Sequence, residues 1–251
     1  MAILVTGGGR GIGRAIALAF SEPGATIAIA SRTRLQLDAT ATEIRARGAT
    51  PIVLALDITD ENAVAAAFDG LRRESAGLDV LVNNAGVGGG APIDETDAAS
   101  WRRILDTNVW GTFLVTRQAV PLLRAGGRIV NLSSVLGRFG VAGYTAYCAS
   151  KHAVIGFTRA LALELVNRQI TVNAVCPGWV ETAMAAQGMS AGATAMGIGF
   201  QEFRAQALHD VPIERIIQPD EVATLVKFLA SSDASAITGQ TYNICGGQSM
   251  D

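Results

Sequence analysis

Seven short apolar runs limit what this chain can become: "AILVT" (2–6), "TIAIAS" (26–31), "PIVLAL" (51–56), "DVLVNN" (79–84), "GRIVNLS" (127–133), "ITVNAV" (170–175) and "TYNI" (241–244). They are rich in β-branched residues and apolar on both faces. Such strands must be covered from both sides, the condition of a parallel sheet between helical layers. The covering segments stand between them, as helical patterns near 11–22, 34–47, 60–75, 97–124, 146–167 and 219–231. Asp60 before "ENAVAAAF" and Pro219 opening "PDEVATLVKFL" suit helix starts. This alternation predicts an α/β fold: a doubly wound sheet of about seven mainly parallel strands with helices on both faces. With 251 residues, 49% of them hydrophobic and 17% charged, the chain reads as one domain, 1–251, with a large core. Only 179–203, rich in Gly, Ala and Met and uncharged between Glu181 and Glu202, reads as irregular.

Charge and cysteine usage remove several classes of function. A formal net charge of -2 gives no electrostatic footprint for nucleic acid. No apolar run approaches the ~20 residues that span a bilayer. "MAILV" is too short and lacks the basic start of a signal peptide. Cys148, Cys176 and Cys245 are odd in number and far apart, and only His152 and His209 accompany them. Neither a disulfide framework nor a metal site follows, and reduced thiols in a cytoplasmic protein are expected.

Chemistry enters at two places. In "LVTGGGRGIGRAIALAF" a glycine cluster ends the first strand and opens a helix. Glycines allow close backbone approach, and a helix N-terminus presents free N–H groups to an anionic phosphate. In "GYTAYCASKHA", Tyr147 and Lys151 stand four apart and share one helix face. A lysine cation beside a phenol favours the phenolate, which tunes the phenol toward reversible proton transfer. Tyr144 lies just before this helix or in its first turn.

The glycines fit T-G-x-x-x-G-x-G rather than G-x-G-x-x-G, and "NNAG" (83–86), "SS" (133–134), "YCASK" (147–151) and "PGWVET" (177–182) follow in order. Together these motifs resemble the short-chain dehydrogenase/reductase family along essentially the whole chain. The stretches "QITVNAVCPGWVETAMA", "VPIERIIQPDEVA" and "YNICGG" are similar to actinorhodin-type polyketide ketoreductases and β-oxoacyl-carrier-protein reductases. The glycine loop "VGGGAP" after "NNAG" departs from their wording.

The resemblance implies a Rossmann-like NAD(P)-binding domain with Asn108, Ser134, Tyr147 and Lys151 as catalytic set. Ser134 would polarise the substrate carbonyl, and the Asn108 backbone would hold a water in a relay to Lys151. It implies a cofactor site at Gly7, Gly9, Arg10, Gly11, Ile12, Gly13, Ser31, Arg32, Asp57, Ile58, Asn84, Ala85, Gly86, Pro177, Gly178, Val180 and Thr182, with Tyr147 and Lys151 shared. Ser31 and Arg32 stand where NAD-binding relatives carry an acid, so Arg32 and Arg10 would grip a 2′-phosphate and NADP(H) is expected over NAD(H). Leu136, Tyr144, Trp179 and Met184, with Ser134 and Tyr147, would line the substrate pocket beneath a lid at about 183–211. The expected activity is hydride transfer between nicotinamide and a ketone such as a β-ketoacyl, polyketide or aryl ketone, in a homotetramer by family analogy. An NAD-linked secondary-alcohol dehydrogenase and a non-catalytic dinucleotide sensor are the rival readings.

Overall fold

A computed structural model describes residues 1–75 and 77–250. Seven strands form one sheet in the order β3-β2-β1-β4-β5-β6-β7. They are β1 (Ala2–Thr6), β2 (Thr26–Ser31), β3 (Thr50–Ala55), β4 (Leu78–Asn83), β5 (Leu123–Leu132), β6 (Thr171–Pro177) and β7 (Thr241–Ile244). Every neighbouring pair is parallel, so all carboxyl ends reach one rim. The chain steps outward from β1 to β3, then returns to set β4 on the other side of β1, which opens a crevice at that rim.

Both faces of the sheet are covered, as the two-sided apolar strands require. Ile3 and Val5 of β1 pack with α1 (Gly11–Ala19), α2 (Arg34–Ala46) and α9 (Pro219–Leu229). Leu4 points the other way, toward α3 (Glu61–Glu74), α5 (Gly111–Ala119) and α6 (Thr145–Leu165). Helix starts follow local chemistry: Asp60 accepts from Ala63 N at 3.0 Å. At α9, Gln218 before Pro219 and Glu221 two residues after it form a capping box.

Two expectations need correction. The helix read over 97–124 is α4 (Ala98–Leu105), a five-residue π-turn Asp106–Trp110, then α5 and a 3-10 turn Val120–Leu122, and β5 begins at Leu123. At Gly111 a Cβ would stand 2.7 Å from Ile58, so α5 sits close against the loop after β3. The segment 179–203 is not irregular either. Thr182 accepts from Ala185 N at 3.2 Å and starts α7 (Ala183–Met196), Gly197 ends it at φ 66°, and α8 (Phe200–His209) follows. A Cβ on Gly192 would lie 2.3 Å from the Phe203 ring, so this glycine serves helix–helix contact. The excursion is pinned at its base, where Ile217 N donates to Trp179 O and Glu181 N to Ile217 O, both at 2.9 Å.

Candidate active site

Three elements converge beyond the carboxyl end of β5. Tyr144 holds the position before α6, and Tyr147 and Lys151 follow on its first turns. Lys151 is buried, and its Nζ donates to Leu132 O at 2.8 Å and lies 5.7 Å from the Tyr147 ring centroid. Ser133 Oγ donates to Lys151 O at 2.8 Å and ties the end of β5 to the helix. Ser134 Oγ accepts from Leu136 N at 3.1 Å, which leaves its proton for another acceptor.

The electrostatics differ from the expectation. Burial pushes the Tyr147 phenol up to about 12, against a hydrogen bond from Ser134 that draws it down. Burial lowers Lys151 to about 8. Desolvation outweighs the attraction that a lysine cation would exert on a phenolate, so Tyr147 keeps its proton at neutral pH. Tyr144 is also raised by burial.

Asn108 sits inside the π-turn and is buried. Its Oδ1 accepts from Val87 N at 2.8 Å, and its Nδ2 donates to Val87 O and Ser150 Oγ, each at 3.0 Å. The Asn108 carbonyl accepts from Thr112 Oγ1 at 2.9 Å. Gly86 passes beneath: a Cβ there would stand 3.1 Å from Asn108 Oδ1 and 3.6 Å from Lys151 Nζ.

The glycine turn is equally close-built. Gly7 adopts φ 68°, and its N–H donates to Ala30 O at 2.7 Å. A Cβ on Gly13 would fall 2.2 Å from Gly7 O, so no other residue fits there. Asn84 Nδ2 donates to Thr6 O at 2.9 Å, and Thr6 Oγ1 accepts from Asn84 N and Ala85 N at 3.0 Å each. Gly11 comes within reach of Thr182, which joins the first loop to "PGWVET": a Cβ on Gly11 would lie 3.3 Å from Thr182 Cγ2. Gly178 N donates to Ile244 O at 3.0 Å, Pro177 ends β6, and Val180 is buried at the base of the α7–α8 excursion.

A dinucleotide fits this cradle. Arg10 gives α1 no side-chain cap, and the first bond of the helix is Arg14 N to Arg10 O at 3.2 Å. The N–H groups of the first helical turn, Gly11, Ile12 and Gly13, precede that bond and are left for an anion. Ser31 Oγ is buried without a hydrogen-bond partner at the end of β2, and a Cβ on Gly9 would stand 3.2 Å from it. Arg32 is exposed and stands 3.8 Å from Asp57 Oδ2, while Thr59 N and Oγ1 both donate to Asp57 Oδ1 at 2.9 Å. Ile12 is half-buried, whereas the Ile58 side chain is committed to the core.

Of the residues expected to line a substrate pocket, Met184 and Tyr147 come together across the loop after Gly86: a Cβ on Gly88 would lie 3.8 Å from Met184 and 3.9 Å from the Tyr147 ring. Gly90 presses on Tyr144, where a Cβ would meet the ring at 3.2 Å and Gly143 O at 2.6 Å. Trp179 packs under Gly188 of α7, and Leu136 is half-buried. Sequence reasoning passed over Gly88, Gly90, Val87 and Ser150. The run of glycines in "VGGGAP" was the available signal, since close approach is what repeated glycine permits. Cys176, expected as a reduced thiol, is free and buried; burial pushes it up, against Ser133, Arg138 and Lys151, which act the other way.

Comparison with known proteins agrees with this geometry. Residues 7–249 match a family model described as enoyl-(acyl carrier protein) reductase. A putative ketoacyl reductase of Streptomyces coelicolor is 39% identical over 248 residues, 97% of this chain and 95% of that protein. The 3-oxoacyl-[acyl-carrier-protein] reductase FabG of Staphylococcus aureus is 37% identical over 250 residues, 98% of this chain and 97% of that protein. A crystal structure of an actinorhodin polyketide ketoreductase variant with NADPH superposes with a TM-score of 0.93 at 39% identity, covering 98% and 96% of the two chains. Among the described residues, no helix is long and apolar enough to cross a membrane.

Proposed function

Since this chain belongs to the short-chain dehydrogenase/reductase family, we propose that it is an NADP(H)-dependent carbonyl reductase acting on a ketone of the β-ketoacyl, polyketide or aryl class. The observation that carries the reading is the convergence of Ser134, Tyr147 and Lys151 beyond β5, with Lys151 buried and its Nζ 5.7 Å from the Tyr147 ring. When bound, the nicotinamide supplies the hydride that reaches the carbonyl carbon. Ser134 Oγ, its lone pair engaged by Leu136 N, directs its proton toward the carbonyl oxygen and polarises it. Tyr147, held protonated by burial, donates its proton to that oxygen as charge develops there. Lys151 then returns a proton to the phenolate and regains one from a water that the Asn108 backbone would hold.

Ser31, Arg32 and Arg10 hold a 2′-phosphate in this reading. Its support is the buried, unpartnered Ser31 Oγ beside an exposed guanidinium. The turn of Gly7, Gly9, Gly11, Ile12 and Gly13 takes the pyrophosphate. Asp57 and the backbone of Ile58 face the adenine, with Asn84, Ala85 and Gly86 at the ribose and Pro177, Gly178, Val180 and Thr182 at the nicotinamide. Leu136, Tyr144, Trp179 and Met184 form the substrate walls, and the segment 183–211 acts as a lid within the single domain 1–251. The enzyme acts in the cytoplasm as a homotetramer, a state in which other copies would cover the exposed Trp101 and Trp110.

A panel of β-ketoesters, acyl thioesters, aryl ketones and cyclic ketones, each with NADPH and NADH, tests the activity. Tyr147→Phe abolishes turnover and keeps NADPH binding, whereas Tyr144→Phe retains substantial activity. A wild-type preference for NADH would return the reading to an NAD-linked alcohol dehydrogenase. Cofactor binding with no turnover on the whole panel would favour a dinucleotide sensor.

A further inference from the structure

Ser150 lies one residue before Lys151, has no exposed surface, and takes no part in the chemistry above. Its hydroxyl is the middle link of a hydrogen-bond chain whose directions are all forced. Val87 N–H can only donate, so the Asn108 atom that receives it at 2.8 Å is Oδ1. The Asn108 amide nitrogen therefore faces Val87 O and Ser150 Oγ, each at 3.0 Å. Because that nitrogen can only donate, Ser150 Oγ accepts from it and sends its own proton to the Tyr147 carbonyl at 2.8 Å.

The chain joins three segments that have no covalent reason to stay in register: the loop after β4, the π-turn and the first turn of α6. It also runs around Lys151, since Gly86 precedes Val87 and passes close to Nζ. We infer that the Ser150 hydroxyl is a positioning group that couples Asn108 to the Tyr147 backbone and so fixes the phenol relative to Lys151 and the Gly86–Val87 backbone. A serine that only satisfied its own helix would need the bond to Tyr147 O alone. Here the same oxygen also accepts from a second element. The inference rests on Tyr147 as proton donor, because a misplaced phenol slows proton transfer without weakening the binding of either ligand.

The test compares Ser150→Ala, Ser150→Thr, Asn108→Ala and the Ser150→Ala/Asn108→Ala double variant. Ser150→Ala is expected to lower kcat by about tenfold with both KM values within about twofold, and Ser150→Thr, which keeps the hydroxyl, to recover most of the loss. In the Asn108→Ala background the same change should cost less than about twofold, because the link is already cut. Independently of activity, the Val87 amide should exchange about tenfold faster in Ser150→Ala, while β1 and β2 keep their protection. A kcat within about twofold of wild type, an undiminished loss in the Asn108→Ala background, or unchanged Val87 exchange overturns the inference. If the wild-type protein reduces no ketone, the functional reading is what fails, and Val87 exchange alone decides the linkage.

Discussion

Lys151 brings a primary amine to a place where its ammonium form is poorly solvated, with Leu132 O at 2.8 Å as its hydrogen-bond acceptor. Burial lowers it from 10.5 to about 8, and this has a consequence for stability. Below pH 8 the folded and unfolded chains both hold the proton, and the cost of burying the charge is felt in full. Between about 8 and 10.5 the folded chain has released a proton that the unfolded chain still binds. Stability then rises with pH, by up to ~1.4 kcal/mol per unit. Tyr147 works in the opposite sense above its ordinary value of 10.0, because the folded chain keeps the phenolic proton up to about 12. The window from 8 to 10 therefore belongs to Lys151 within this pair. The difference in urea midpoint between wild type and Lys151→Met should change in favour of wild type from pH 7.5 to 10. A difference that stays flat over that range would mean that Lys151 titrates as an ordinary lysine.

Among the elements, α7 and α8 show how far composition misleads about glycine. In an isolated helix Gly192→Ala would stabilise by roughly 1 kcal/mol. Here the added methyl meets the Phe203 ring at 2.3 Å, which is too close for either helix to ignore. Gly192→Ala should therefore lower the hydrogen-exchange protection of 183–209, and Phe203→Ala in that background should restore part of it. Higher protection in Gly192→Ala alone would show that α8 yields without cost. The same pair explains what the sequence made legible and what it did not. Strands such as "TIAIAS" were readable because two-sided burial leaves a mark on every residue of the run. Motif spacing singled out Asn108, Ser134, Tyr147 and Lys151, and the structure brings these four side chains near one another around the end of β5. The α7–α8 contact, the π-turn and the Asn108–Ser150 link depend on atoms meeting across distant segments, which no local periodicity records. The direction of the Tyr147 shift differs for the same reason, since the sequence supplies the lysine but not how far the phenol and the amine are desolvated.

At the scale of the molecule, the parallel sheet delivers every turn of the proposed site to one rim but from different strands. Ser31 and Arg32 leave β2, Asn84 leaves β4, Ser134 leaves β5 and Gly178 leaves β6. The segment after β7 returns to the same rim. There Ile213 N donates to Gly246 O at 3.1 Å, and within β7 Asn243 Oδ1 accepts from Arg138 Nε at 3.3 Å, just beyond the Ser134 turn. Gly246 holds φ 66°, and a Cβ on it would lie 2.5 Å from Ile213. The end of the α7–α8 excursion is thus fastened by a residue that tolerates no side chain. On the proposed function, the cofactor half of the site hangs on β2 and the ketone half on this fastening, so the two should fail separately. Arg32→Asp places a carboxylate beside the 2′ position and should cut kcat/KM for NADPH by about tenfold or more, with NADH less affected and the ketone KM unchanged. Gly246→Val should displace 211–213 and with it the lid, raising the ketone KM several-fold, on the order of 1 kcal/mol, while the NADPH dissociation constant holds. Steady-state kinetics and NADPH fluorescence titration on the two variants give the answer. If Gly246→Val weakens NADPH and ketone alike, the rim behaves as one cooperative unit and the division between its halves is wrong.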